Sequence, residues 1–206
     1  MSEITKKSSK TAALIQEAAT NMFATYGFDG TIMDELAAKT GVNKASIYYH
    51  FGSKQGLYEA CMTTLFSGVA NQVLAAIAPQ DSVFGQLSAF IAAFSQAAYK
   101  SPNMPAVLMR EMASSGKNMP KSARQQMQRL LFGLKTILEE GERKGLLKPI
   151  QPLTVHMMIV GSLSLYIVSE PLRRGIADAP QADISVAEMT EEVSNLIQNG
   201  LKVTEK

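Results

Sequence analysis

The stretch GVNKASIYYHFGSKQGLYEA, residues 41–60, concentrates side chains able to do chemistry. Asn43, Lys44, Ser46, Tyr48, Tyr49, His50 and Lys54 supply amide, ammonium, hydroxyl and imidazole groups within about three helical turns. Such groups serve either proton transfer at a converging centre or hydrogen bonding to a polar partner. Proton transfer and nucleophilic attack need a second, facing set of residues. The chain has no GxSxG, no Gly-rich phosphate loop and no paired Cys or His at metal spacing. Its two histidines, His50 and His156, fall in different regions. The reading is of a binding protein and not an enzyme, with no metal and no cofactor.

To act together these residues must share a helix face. KTGVN, residues 39–43, places Gly41 between two helix-forming stretches, the pattern of a helix-turn-helix. Thr31 is expected to open the helix before the turn, with Asp34 as its capping-box partner, and Gly41 to close it. Asn43 is expected to cap the helix after the turn, and Ser53 the long helix that follows to about residue 78. At about 100° per residue, Ile47 and Phe51 share the inward face. The opposite face centres on Tyr49, flanked by Ala45, Ser46 and Tyr48, with His50 at the edge. Small Ala45 lets a groove approach the backbone, while hydroxyls and aromatic edges can reach phosphate oxygens and base edges. Lys44 adds local charge, and Lys54 lies on the first turn of a helix whose free N–H groups favour an anion. Lys6, Lys7 and Lys10 form an N-terminal arm able to reach a nucleic-acid backbone. With 20 Lys and Arg against 18 Asp and Glu, the overall field is weak, so affinity for a polyanion depends on placement.

The other elements also read as helices. The chain has 206 residues, 46% hydrophobic and 18% charged, which suits one or two globular domains. Leu14, Ala18, Met22 and Tyr26 recur at i, i+4, widened by Ile15, Ala19 and Phe23, and Gly27 stops that helix. Val83, Phe84, Leu87, Ile91 and Phe94 mark a further helix. Met127, Leu130, Leu134, Ile137 and Leu138 mark another, and residues 153–168 a strongly apolar one. Beyond a loop around Pro180, Met189, Val193, Leu196 and Ile197 line the last. No strand-like alternation of any length occurs, so the fold class is all-α. The apolar run carries His156, Ser162 and Ser164, which suits a helix buried in protein better than a membrane span. The single cysteine, Cys61, excludes an internal disulfide and falls on an apolar stripe with Leu57 and Leu65, as buried packing would. The N-terminal MSEITKKSSK lacks the apolar core of a secretion signal. A cytoplasmic protein is expected.

TIMDELAAKTGVNKASIYYHFGSKQGLY, residues 31–58, resembles the DNA-binding signature of the TetR family of bacterial transcriptional regulators. The shared elements are a threonine opening the second helix, LAAKTGV leading into the turn, and IYYHF followed by SK and a leucine. The resemblance implies an N-terminal three-helix helix-turn-helix domain, residues 1–52. A long helix would join it to a larger helical ligand-binding and dimerisation domain, residues 53–206. It further implies that Thr31, Asn43, Lys44, Ala45, Ser46, Tyr48, Tyr49, His50 and Lys54 lie at double-stranded DNA. Tyr48 and Lys54 match phosphate-contacting positions, Ala45 and Tyr49 positions that meet bases. Gly52 and Gly56 depart from the polar residues usual there. The implied function is a ligand-responsive regulator, foremost a repressor, binding an inverted repeat as a homodimer. The alternative is a DNA-binding regulator or architectural protein without a small ligand, controlled by a protein partner.

Two half-sites one DNA turn apart require two copies of the reading helix. Leu153, Met157, Gly161, Ser164 and Leu165 on the apolar helix suit a four-helix interface with a second copy, together with Met189, Val193, Leu196 and Ile197 on the last; the alternative is that both helices fill a monomeric core. Phe66, Phe94, Met109, Met112, Met127 and Phe132 are candidates to line a cavity for a small apolar ligand, with Phe84, Phe90 and Met104 nearby. The same residues also suit a packed core. His156 can orient a ligand or stand as a satisfied core histidine. Arg110 and Glu111 can flank a pocket mouth or pair with neighbouring helices.

Overall fold

The computed structural model describes residues 3–175 and 183–203, with side chains from Ser9 onward. The side chains of Lys6 and Lys7 and the loop around Pro180 lie outside the described residues. Ten helices make up the regular structure among those described.

The N-terminal half is built by local chemistry. Helix α1 (Glu3–Gly30) is interrupted at Gly27, where φ is 74° and ψ 179°. Ile15, Ala19, Met22 and Phe23 are buried on its inner face, whereas Leu14 and Tyr26 are exposed. The expected stripe is thus turned by about one residue, because α1 docks on two helices at once, α4 and α6, described below. Helix α2 (Met33–Thr40) starts after Ile32 without a side-chain cap. This corrects the capping role expected of Thr31. Its side chain is 1% exposed and its hydroxyl donates to the Gly27 carbonyl at 2.8 Å. The break at Gly27 supplies that acceptor, and the hydroxyl ties the end of α1 to the start of α2. Gly41 closes α2 in the left-handed conformation, φ 68°. Helix α3 (Lys44–Phe51) is capped by Asn43, whose Oδ1 accepts from the Ser46 amide at 2.7 Å. Helix α4 (Lys54–Ile77) is capped by Ser53, whose Oγ accepts from the Gly56 amide at 3.0 Å. A Cβ at Gly56 would stand 2.2 Å from the Phe51 carbonyl oxygen, so the tight α3–α4 turn accounts for this departure from the family pattern.

Helix α4 is the axis of the molecule and packs on α1, α3, α5 (Val83–Lys100) and α7 (Lys121–Arg143). It is long and apolar enough to cross a membrane by composition alone. Its Leu57, Tyr58, Met62, Phe66 and Val73 are instead buried against its neighbours. Helix α6 (Asn103–Ala113) packs on α1 and on α8 (Pro152–Val168), and α8 packs also on α5, α7 and α10 (Val186–Leu201). Between them lies a short helix not expected from the sequence, α9 (Glu170–Arg174). Ser185 and Glu188 form a full capping box on α10, a signal overlooked in the sequence. Cys61 is buried as expected, and burial pushes its thiol up to about 11.

Candidate nucleic-acid interface

Helix α3 is held by one buried side chain and offers the rest outward. Ile47 is fully buried beneath it, while Tyr49, two positions and about 200° away, is 84% exposed. Ala45 and Tyr48 are exposed beside it, and Ser46 and His50 are half-buried at the edges. The Tyr49 and His50 rings meet edge-on at 5.4 Å, which limits their rotamers. Full burial of an Ile side chain contributes about 1.5–3 kcal/mol, so Ile47 is the main anchor setting the register of this face.

The cations around the face are held in place. Lys44 Nζ pairs with Asp34 Oδ2 at 2.9 Å, and this hydrogen bond raises the lysine pKa further. Lys44 must share or leave Asp34 to meet a phosphate. Lys54 Nζ donates to the Asp29 carbonyl at 3.3 Å and stands 4.8 Å over the Phe28 ring. Its charge is thereby fixed at the α4 N-terminus, where the helix dipole adds to it. Asn43 spends its side-chain oxygen on the cap. The structure brings Asn43, Lys44, Ala45, Ser46, Tyr48, Tyr49, His50 and Lys54 to one end of the molecule. Thr31 is the exception, because its side chain is enclosed there.

A second exposed surface lies at the other end. Leu153, Met157, Met158 and Leu165 line the outer face of α8, next to Leu196 on α10, which is 72% exposed. Gly161 and Met189 are half-buried on the same two helices. The expected dimer set needs correction at Ser164, Val193 and Ile197, which are buried in the chain's own core. Helix α10 turns those two aliphatic residues inward and Leu196 outward. Met158, missed in the sequence, completes the outer stripe one residue from Met157.

The cavity expected from methionine and phenylalanine does not form as one site. Phe66, Phe90, Phe94 and Met104 are tightly buried core residues. Met112 is exposed and Phe132 is 62% exposed, so both leave the candidate lining. Phe132 instead borders a surface groove of about 450 Å³ with Ile150 and Leu153. Met109 and Met127 pack at the margin of the core. The largest cavity described, about 750 Å³, lies elsewhere, between α5 and α10, and includes Ser95, Gln96, Tyr99, Thr190 and Gln198. His156 remains a buried group, 8% exposed, and its Nδ1 has no hydrogen-bond partner. Burial lowers its pKa. Ser164 Oγ, on the same helix, is likewise buried and unpartnered.

Comparison with other proteins accords with this architecture. Residues 15–61 match the family profile of bacterial regulatory proteins of the tetR family, and residues 85–198 match a tetracyclin repressor-like C-terminal domain. The chain is 31% identical over 160 residues to the HTH-type transcriptional regulator YhgD of Bacillus subtilis, covering 75% of this chain and 79% of that one. It is 31% identical over 137 residues to the HTH-type transcriptional regulatory protein RaaS of Mycobacterium tuberculosis, covering 66% of this chain and 59% of RaaS. A TetR family regulator from Marinobacter aquaeolei superposes with a TM-score of 0.77 at 15% identity, covering 97% of this chain and 99% of that one. FadR of Bacillus subtilis, solved with stearoyl-CoA, superposes at 0.72 and 17% identity over 91% and 98% of the two chains, a likeness of fold. With the helix-turn-helix at one end and the larger helical domain behind it, the chain belongs to the TetR family of bacterial transcriptional regulators.

Proposed function

We propose that this protein is a ligand-responsive transcriptional repressor, and not an enzyme, acting in the cytoplasm as a homodimer on an inverted-repeat operator. Residues 1–52 read the DNA and residues 53–206 dimerise and sense. The observation that carries the reading is the α3 face, where Tyr49 stands clear of the fold above a buried Ile47 with cations fixed on both sides. Ala45 and Tyr49 meet base edges in the major groove, while Ser46, Tyr48, His50, Lys44 and Lys54 meet the backbone. Asn43 and Thr31 serve mainly by holding α3 and α2 in position.

The dimer reading is supported by the outer stripe of α8 and α10. A Cβ at Gly161 would meet nothing within 4 Å in its own chain. Glycine inside a helix costs about 0.5–1 kcal/mol relative to alanine, so a close neighbour outside the chain accounts for it. Leu153, Met157, Leu165, Met189 and Leu196 bury against a second copy, and the two α3 helices then lie about one DNA turn apart.

The ligand reading is supported by His156 Nδ1 and Ser164 Oγ, buried polar atoms of the kind that a bound molecule or water satisfies. Phe94, Met109 and Met127 are on α5, α6 and α7, the helices packed against α8, so the apolar core they form has to open to admit a small apolar ligand beside His156. Ligand entry shifts α4 and alters the separation of the α3 helices. Tenfold weaker DNA binding requires about 1.4 kcal/mol of preference for the released state. Selection from random duplex DNA near physiological salt tests the reading. An enriched inverted repeat is expected; salt-sensitive binding without an enriched sequence would instead favour an architectural role.

A further inference from the structure

Helix α6 links the two ends of the molecule through a polar joint. Helices α2 and α3 pack on each other, on α1 and, through α3, on α4. The reading head therefore takes its orientation from α1 and α4. Helix α1 packs in turn on α6, and α6 on α8. Because the backbone leaves the helical conformation at Gly27, Ala24 and Thr25 carry last-turn carbonyls of the kind that need outside donors.

Arg110 of α6 supplies both donors: its Nε donates to the Ala24 carbonyl at 3.1 Å and its Nη2 to the Thr25 carbonyl at 2.5 Å. A cation there also complements the negative end of the helix. Gly27 is favoured by its positive φ, and a Cβ there would make only ordinary contact with Arg110 Cδ at 3.5 Å, so the arginine stem lies directly against the break. At the start of α6, Asn103 Nδ2 donates to Asn21 Oδ1 at 2.6 Å. The adjacent residue, Glu111, is buried and turns to the other helix. Its Oε1 accepts from Tyr58 Oη of α4 at 2.6 Å, and its Oε2 accepts from the Asn118 amide at 3.3 Å. The Tyr58 ring packs edge-on against Phe23 and Phe28, and Phe28 lies under Lys54.

We infer that Arg110 and Glu111 are positioning residues for DNA reading: Arg110 caps α1 from the regulatory half, Glu111 holds α4, and together they set the angle at which α3 presents Tyr49. A shift of α6 that withdraws Arg110 from the two carbonyls frees the head to reorient. This deepens the regulator reading above and rests on it only where DNA is the readout.

Hydrogen–deuterium exchange on the full-length protein tests the joint, comparing wild type with Arg110→Ala, Arg110→Lys and a remote core control, Leu134→Ala. Arg110→Ala should speed exchange in residues 22–52 about tenfold more than in α5, α7 and α8, whereas Leu134→Ala should speed exchange broadly. Arg110→Lys, able to reach one carbonyl, should fall between; if the alanine variant does not fold, the lysine variant carries the same test. An Arg110 variant that accelerates all helices equally, or leaves residues 22–52 unchanged, overturns the inference. On operators with varied half-site spacing, wild type should prefer one spacing by about tenfold and Arg110→Ala should lose most of that preference. Local loosening with an unchanged spacing preference also overturns the positioning role. A wild type with no spacing preference would refute the operator reading, while the exchange pattern would still judge the joint.

Discussion

The two exposed ends of this molecule differ in what they leave unsatisfied. On α3 the free side chains are tyrosines, a histidine and small residues beside two placed lysines. On α8 and α10 they are leucines and methionines, with no Lys, Arg, Asp or Glu in α8. A hydrogen-bonding, locally cationic face suits a polyanion with groove edges, while an apolar stripe rimmed by polar residues suits protein. The fold places the two surfaces on different helices, with α6 packed on both α1 and α8 and α4 packed on α1, α3, α5 and α7 between them.

Placing a charge on the apolar stripe should have the largest effect. In the proposed two-fold interface Leu165→Glu would enter twice, so the dimer should dissociate and operator affinity fall roughly a hundredfold or more. Sedimentation showing an intact dimer with unchanged affinity would move the interface elsewhere. Tyr49→Ala comes next: losing one base contact costs about 1–3 kcal/mol on the preferred sequence and little on random DNA. Equal losses on every sequence would remove Tyr49 from base reading and blur the contrast between the two ends. Lys54→Ala should weaken all sequences alike and lower the slope of log affinity against log salt by about 1. An unaltered slope would confine Lys54 to its intramolecular contacts with Phe28 and Asp29.

The smallest effect concerns His156 in the core behind the apolar face. Burial depresses its folded pKa below the ordinary 6.5, so as pH falls through 6.5 the unfolded chain takes up the proton first. Stability contributed by the neutral imidazole is present above 6.5 and is lost as pH falls towards the folded pKa. Between pH 7 and 5 the wild-type Tm should drop more steeply than that of His156→Gln. Parallel curves would show that His156 does not carry this dependence.

Much of the DNA-facing half was legible because its determinants are local. Asn43 caps α3 through an amide three residues away, Ser53 does the same for α4, and Gly41 ends α2 by its own conformation. The ligand and dimer assignments fared less well at particular residues. Val193, Leu196 and Ile197 are equally apolar and adjacent on a helical wheel, yet two are buried and one is exposed. Periodicity gives the width of an apolar face, but docking decides which edge of it is covered. Phe132 looked like core by type and is exposed because the other side of α7 faces α4 and α5.

By itself, the sequence determined most of the helices, the caps of α3 and α4, the stop at Gly41 and the set of side chains that α3 displays, since each depends on residues within a turn or two. Only the tertiary structure decided that Arg110 would cap a helix 86 residues earlier in the chain and that Glu111 would receive a hydroxyl from a residue 53 positions away. Those bonds require α1, α4 and α6 to meet at one point. The meeting is set by burial of non-directional apolar faces, which leaves no local signature beside the polar residues it brings together.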